Sequence, residues 1–241
     1  KITNGGILVY NEDDAEVKRV SEAATNPIRK LAYHTPKYSV NDGVTLLETP
    51  EGDMPIEVFG AHNLNNLAGA KWICQNMGVD EADFYEAIAS FKGASKRLEK
   101  IAESKTKVAY KDFAHSPSKV AATTKAVKEQ YPNRTLVACL ELHTYSSLNA
   151  EFLKEYEGAL EYADKAVVFY SPDAVKIKQL EEVTYDQIAK SFNREDLIIY
   201  TNPKDFKDYL FNLNLENSAL LLMSSGNYGG LNFDEVKELV K

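Results

Sequence analysis

Val108-Ala-Tyr-Lys-Asp112-Phe-Ala-His115-Ser-Pro117 reads as a β-strand that runs straight into an α-helix. Ser116 is a good helix cap, and Pro117 fits a first helical position, where the missing N–H has no intrahelical partner to lose. The same alternation repeats downstream. Strands are predicted at 107–113, 135–141, 165–170, 197–200 and 219–224, with helices at 118–130, 149–162, 185–192 and 204–213; Pro203 behind Asn202 repeats the cap. Strands alternating with helices of this size predict a mostly parallel sheet of Rossmann-like type, covered on both faces. Ligands of such sheets collect at the carboxyl ends of the strands. Asp112, His115 and His143 fall at such ends.

Upstream the pattern is different. A short strand at 6–10, a helix at 13–24 and a hairpin at 45–59 turning through Pro50-Glu-Gly-Asp53 precede a helix that opens with Gly60-Ala-His-Asn-Leu-Asn-Asn-Leu-Ala-Gly-Ala70. Leu64, Leu67, Ala68 and Cys74 are expected to form its buried stripe. His62, Asn63 and Asn66 share its first turn. One helix cap needs one such residue, and here three Asn and a His are gathered. Carboxamides carry both donor and acceptor, which suits the edge of a purine, and a helix N-terminus favours an anion; a solvated capping cluster is the alternative. A further helix at 80–91, acidic in its first turn, ends at a glycine-bearing junction. A boundary is expected near Lys92-Gly93, dividing the chain into 1–92 and 93–241.

The 241 residues carry a net charge of −8, which argues against a general nucleic-acid or membrane-surface binder, since either needs a basic face. No apolar run approaches the ~18–20 residues of a membrane span, and the start does not read as a signal peptide. A cytoplasmic location is expected. Cys74 and Cys139 are too few for a disulfide framework or metal knot, and are expected to be buried, reduced thiols.

Taken in order, Gly-x-His-Asn-x-x-Asn (60–66), Lys96-Arg97-Leu98-Glu99 and Asp-Phe-Ala-His-x-Pro (112–117) resemble the Mur ligase family, the ATP-dependent enzymes that add amino acids or peptides to UDP-N-acetylmuramate. The resemblance runs from about Gly5 to Gly230. It implies that 1–92 is the end of the central, ATP-binding domain and 93–241 the whole C-terminal domain. It implies that Asn63 and Asn66 read adenine with His62 near them, that Asp112 holds the ribose hydroxyls, and that Arg97 reaches the phosphates. From the residues alone, Asp112 serves equally as a loop-capping carboxylate, and Arg97 as a surface charge paired with Glu99. The family places phosphate or substrate contacts at His115, Ser116 and Lys119, and substrate contacts at His143 and Tyr145. Three departures stand out: Ser116 replaces a second His, and in the run that includes His143 and Tyr145, Ser147 replaces the Arg and Leu142 the Pro. On the family reading, Ala at Arg97 or Asp112 is expected to cripple ligation with little change in stability.

The tail Leu221-Leu-Met-Ser-Ser-Gly-Asn-Tyr-Gly-Gly230 resembles the peptide-adding, cell-wall-recycling members rather than the alanine-adding ones, which remain the alternative. The sequence contains no Gly-x-x-x-x-Gly-Lys-Ser/Thr loop. That loop and the ligands of Mg2+ are expected in upstream domains of the same protein, so this stretch is expected to be inactive alone. A nucleotide- or peptide-binding module without chemistry is the competing function. An unrelated α/β oxidoreductase is disfavoured by the lack of Gly-x-Gly-x-x-Gly after an early strand.

Overall fold

A computed structural model of the chain describes residues 2–41, 43–181 and 183–241. It divides into two compact units between Lys92 and Gly93.

In the first unit, β1 (Ile7–Asn11) and β2 (Arg29–Tyr33) pair in parallel across α1 (Ala15–Ala23). Asp14 caps α1, its carboxylate accepting the amides of Glu16 and Val17. An antiparallel sheet follows, built from β3 (Tyr38–Asn41), β4 (Val44–Thr49) and β5 (Gly52–Ile56), then α2 (Ala61–Asn76) and α3 (Glu81–Ala89). Leu64 and Leu67 of α2 join Leu47, Ile56 and Phe84 in one core. The expected stripe needs correction, because Ala68 and Cys74 are only half-buried whereas Asn65 and Gly69 are buried. The reason is that α2 also packs against β1 and β2. Gly69 faces the Tyr33 ring so closely that a Cβ would stand 2.9 Å from its Cζ.

The second unit is a six-stranded sheet in the order β10-β9-β8-β11-β7-β6. Its strands are β6 (Glu99–Glu103), β7 (Lys107–Asp112), β8 (Thr135–Leu142), β9 (Lys165–Tyr170), β10 (Ile198–Tyr200) and β11 (Ser218–Met223). All pair in parallel except the edge strand β6, which runs antiparallel to β7. Helices α4 (Pro117–Gln130), α5 (Pro172–Ile177), α6 (Tyr185–Phe192), α7 (Pro203–Phe211) and α8 (Phe233–Val240) complete it. Val137, Cys139, Phe169, Leu220 and Leu222 form one face of the sheet with Phe206 and Leu210 of α7 and Val236 and Val240 of α8. The alternate residues Leu136, Ala138, Leu140 and Leu221 are buried too, as strand geometry requires when both faces are covered, and α4 packs against β8 and β11. The fold is the doubly covered, mostly parallel α/β sheet expected.

The helix expected at 149–162 does not form as such. Only a 3-10 segment, Phe152–Tyr156, is helical there, followed by turns. Leu153, Tyr156, Ala159 and Leu160 are buried and supply the helical-looking spacing. Gly158, at φ +72°, turns the chain out of a helix, and Tyr156 is fixed by its hydroxyl on the His115 carbonyl and by stacking on Phe192. The strands β2, β3 and β6 and the helices α5 and α8 go beyond the expected elements.

Candidate functional site

At the carboxyl end of β7, Asp112 is 7% exposed and both its oxygens accept backbone amides. Oδ2 takes Leu98 N–H at 2.6 Å and Oδ1 takes Ala114 N–H at 2.6 Å. The segment so held is unusual: Lys96 and Leu98, on either side of Arg97, have left-handed φ values of 58° and 43°. Phe113 N–H closes it further by donating to the Lys96 carbonyl at 2.9 Å. The exposed Arg97 guanidinium lies 5.7 Å over the Phe113 ring, and the His115 ring stands edge-on to the same ring at 5.1 Å. His115 Nδ1 is 2.8 Å from the Phe113 carbonyl, which as an acceptor assigns that nitrogen the hydrogen. Arg97, Asp112 and His115 are thus gathered around Phe113.

Arg97 does not depend on Glu99. That carboxylate takes the Lys96 amide at 2.8 Å and pairs with Lys111 at 2.9 Å; the amide bond first and then the lysine hold it below the usual carboxylate range. Ser116 caps α4 without a side-chain bond, and Lys119 is exposed in the helix's first turn. A cavity of about 700 Å³ opens beside this turn, lined by Ser116, Ser118, Phe152, Glu155 and Glu161 among others. The stability expectation for Asp112 also needs correction. A buried carboxylate that satisfies two backbone donors is structural as well as a candidate contact.

At the ends of β8 and β11, Glu141 is 3% exposed and accepts Ser224 Oγ–H and, at 2.8 Å, Tyr228 N–H. His143 Nδ1 lies 3.7 Å from its other oxygen. Tyr145 is exposed, with Lys178 Nζ 4.5 Å over its ring. Ser147, where the resembled run has Arg, is buried and bonded to Thr144.

In the first unit, Gly60 (φ +87°) starts α2. Asn63 Nδ2 donates to the Phe59 carbonyl at 3.0 Å, Asn66 is exposed, and His62 is half-buried. Asn65, which sequence reasoning passed over, is the buried member. Its Nδ2 lies 3.1–3.2 Å from Asn11 Oδ1, Asp13 Oδ2 and Thr35 Oγ1, tying the helix start to the ends of β1 and β2. Asp13 also accepts the Thr35 amide and hydroxyl, which lower its pKa. Glu141 was missed as well. A lone charge inside the otherwise apolar 136–142 run is the signal that finds it.

Carboxamides stand at a helix start in the first unit, and a buried Asp, a cation and two imidazoles at the carboxyl ends of strands in the α/β second unit. The chain belongs to the Mur ligase family: the model of the Mur ligase glutamate ligase domain matches residues 96–226. The UDP-N-acetylmuramate--L-alanine ligase of Caldicellulosiruptor bescii is 29% identical over 180 residues, covering 70% of this chain and 39% of that protein. The bifunctional enzyme MurC/Ddl of Chlamydia caviae is 30% identical over 174 residues, covering 70% of this chain and 21% of that one. The chain therefore spans well under half the length of these relatives. Among solved structures, murein peptide ligase from Psychrobacter arcticus superposes with a TM-score of 0.62 at 16% identity, covering 100% of this chain and 52% of that one. MurF ligase from Thermotoga maritima in complex with ADP gives 0.66 at 17%, covering 99% and 53%. At these identities the structures show the shared fold. Among the described residues no group of three or more His, Cys, Asp or Glu side chains is placed to hold a metal ion, and no helix is long and apolar enough to cross a membrane.

Proposed function

We propose that this chain is the end of the ATP-binding central domain (1–92) and the C-terminal domain (93–241) of a ligase that joins a peptide to UDP-N-acetylmuramate in the cytoplasm. The observation that carries the reading is the gathering of Arg97, Asp112 and His115 around Phe113 at the carboxyl end of β7. In the reaction, a carboxylate oxygen of the muramate attacks the γ-phosphorus of ATP, releasing ADP and forming an acyl phosphate. The incoming amine then attacks the acyl carbon, phosphate leaves, and the amine's proton is lost. The protein's part is positioning and charge neutralisation.

The residues suit those roles. Asn63, with its Nδ2 spent on Phe59, keeps Oδ1 to accept from the amino group of adenine, and the exposed Asn66 offers donor and acceptor. Asp112 has outer lone pairs left for ribose hydroxyls, and Arg97 is an exposed cation for phosphate oxygens. His115, Ser116 and Lys119 at the head of α4 suit an anionic group, and His143 and Tyr145 the incoming substrate. On this reading the ligands of Mg2+ lie in upstream domains of the same protein.

The peptide is favoured as acceptor partner by Ser147, which removes the guanidinium that would clamp the carboxylate of a small amino acid, and by the 221–230 tail. The alanine ligase is the second reading, favoured by the names of the curated relatives. The test uses the full-length protein with ATP and UDP-N-acetylmuramate, offering L-alanine and L-Ala-γ-D-Glu-meso-diaminopimelate in competition and following product by mass. Tripeptide adduct in excess supports the first reading. Predominant alanine adduct replaces it with the second, and no ATP-dependent adduct rejects both.

A further inference from the structure

Asp112 and Glu141 are the two acidic side chains of the buried set, and they flank the exit of β11, which lies between β7 and β8. Ser224 joins them, its amide donating to the Asp112 carbonyl at 2.9 Å and its hydroxyl to Glu141 Oε2. Tyr228 N–H donates to the same oxygen, so the loop after β11 is closed around the carboxylate. Gly226 is required there, since a Cβ would stand 2.8 Å from Oε2 and 3.0 Å from Cγ of His143. The second oxygen, Oε1, is turned towards Nδ1 of His143 at 3.7 Å. Burying a charge in an apolar strand is costly. Loop closure uses one of its oxygens and leaves the other to be explained.

We propose that Glu141 is a positioning residue that turns Nδ1 of His143 inward and presents Nε2 at the sheet edge as an acceptor. A carboxylate only accepts, so the ring nitrogen facing it is the one that carries hydrogen in the neutral imidazole, and the other nitrogen is left with a free lone pair. The 3.7 Å approach is longer than a hydrogen bond, and such contacts tighten when a site is loaded. An outward acceptor suits a ligand that brings N–H donors, such as the primary amine that must reach the acyl phosphate. This last step rests on the function proposed above; the orientation of the ring does not.

Long-range 1H–15N correlation spectra of the 241-residue chain at alkaline pH, where imidazole is neutral, identify the hydrogen-bearing nitrogen of His143 directly. The expected result is Nδ1–H in the wild type, shifting towards the Nε2–H form by about twofold to tenfold in Glu141→Gln. Ser224→Ala, which touches only Oε2, is expected to leave the ring as it is. Nε2–H in the wild type overturns the proposal even if Glu141→Gln does not fold. So does an unchanged ring in a folded Glu141→Gln, or an equal shift in Ser224→Ala, which would assign the effect to loop order. In the full-length ligase, Glu141→Gln is expected to raise KM for the amine substrate about tenfold with KM for ATP unchanged; an unchanged amine KM in a folded variant also overturns it. A wild type that ligates nothing removes the proposed function and leaves the spectroscopic outcome standing.

Discussion

Replacing Asp112 by Ala tests whether the carboxylate is held by the fold as well as available to a ligand. It accepts two backbone N–H bonds at 2.6 Å in a buried position. A hydrogen bond to a charged group contributes about 1.5–3 kcal/mol, so the gross loss is about 3–6 kcal/mol, with Leu98 and Ala114 amides left unpaired. Part of this is recovered. Once Leu98 N–H is released, Leu98 can leave its left-handed conformation, which costs about 1–2 kcal/mol for an L-residue, whereas Lys96 stays held by Glu99 and Phe113. The net expectation is about 2–4 kcal/mol, or a fall of about 1–2 M in the urea midpoint for a slope near 2 kcal/mol/M. Asp112→Asn keeps one acceptor but aims an NH2 at an N–H, so it should fall in the lower half of that range. The chain's one tryptophan, Trp72, reports on the first unit, so the transition must be followed by far-UV circular dichroism or by amide exchange of β7 and β8. Arg97→Ala is the control: an exposed side chain, expected within about 0.5 kcal/mol of wild type. A loss below about 1 kcal/mol in Asp112→Ala would refute the reasoning and leave the carboxylate free for a purely ligand-directed role.

In the full-length enzyme, Arg97→Ala should reduce phosphate release by at least about a hundredfold, the scale of removing one preorganised charge contact, with the melting temperature unchanged; near-normal turnover would remove Arg97 from the phosphate site. Gly69→Ala should destabilise the first unit by about 1–3 kcal/mol, because overpacking against the Tyr33 ring outweighs the helix-propensity gain; Trp72 fluorescence in urea reads it, and a stabilised variant would contradict the close approach. Asp13, held down chiefly by the Thr35 amide, and Glu99, held down chiefly by the Lys96 amide, have folded pKa values below their unfolded ones. Their contribution is therefore present above about pH 4–4.5, the unfolded range, and lost as pH falls through the folded values. Acid titration of Asp13→Asn and Glu99→Gln should show a flatter decline than wild type. Cys139 is fully buried, with its thiol pushed up to about 12 by burial, whereas Cys74 is half-buried. A thiol reagent should label Cys74 first, and Cys139 only on unfolding.

What could be read from the sequence, and what could not, divides along a physical line. The second unit was legible because its inner strands are buried on both faces and two of its helices begin at Pro117 and Pro203, so composition and punctuation agree. The 149–162 segment misled because Leu153, Tyr156, Ala159 and Leu160 keep a helical spacing while following turns, the left-handed Gly158 being decisive. The Asn-rich start of α2 shows the same limit at the level of a site. Three adjacent carboxamides look alike in a sequence, yet the fold gives each a different environment. Asn65 is consumed by Asn11, Asp13 and Thr35, Asn63 spends its donor on Phe59, and Asn66 is left exposed. The division of labour follows from α2 packing on two sides. Asn65 is tied to the ends of β1 and β2, one position from Leu64, which packs with Leu47 of β4 and Ile56 of β5. On the function proposed above, Asn65→Leu should disturb recognition of adenine without touching it, whereas Asn66→Leu should do so by contact alone. Nucleotide titrations of the full-length protein would separate the two, since the Asn65 variant alone should lose stability of the first unit, by about 1 kcal/mol for its part-buried hydrogen bonds. Equal stability in both would return Asn65 to the solvated surface.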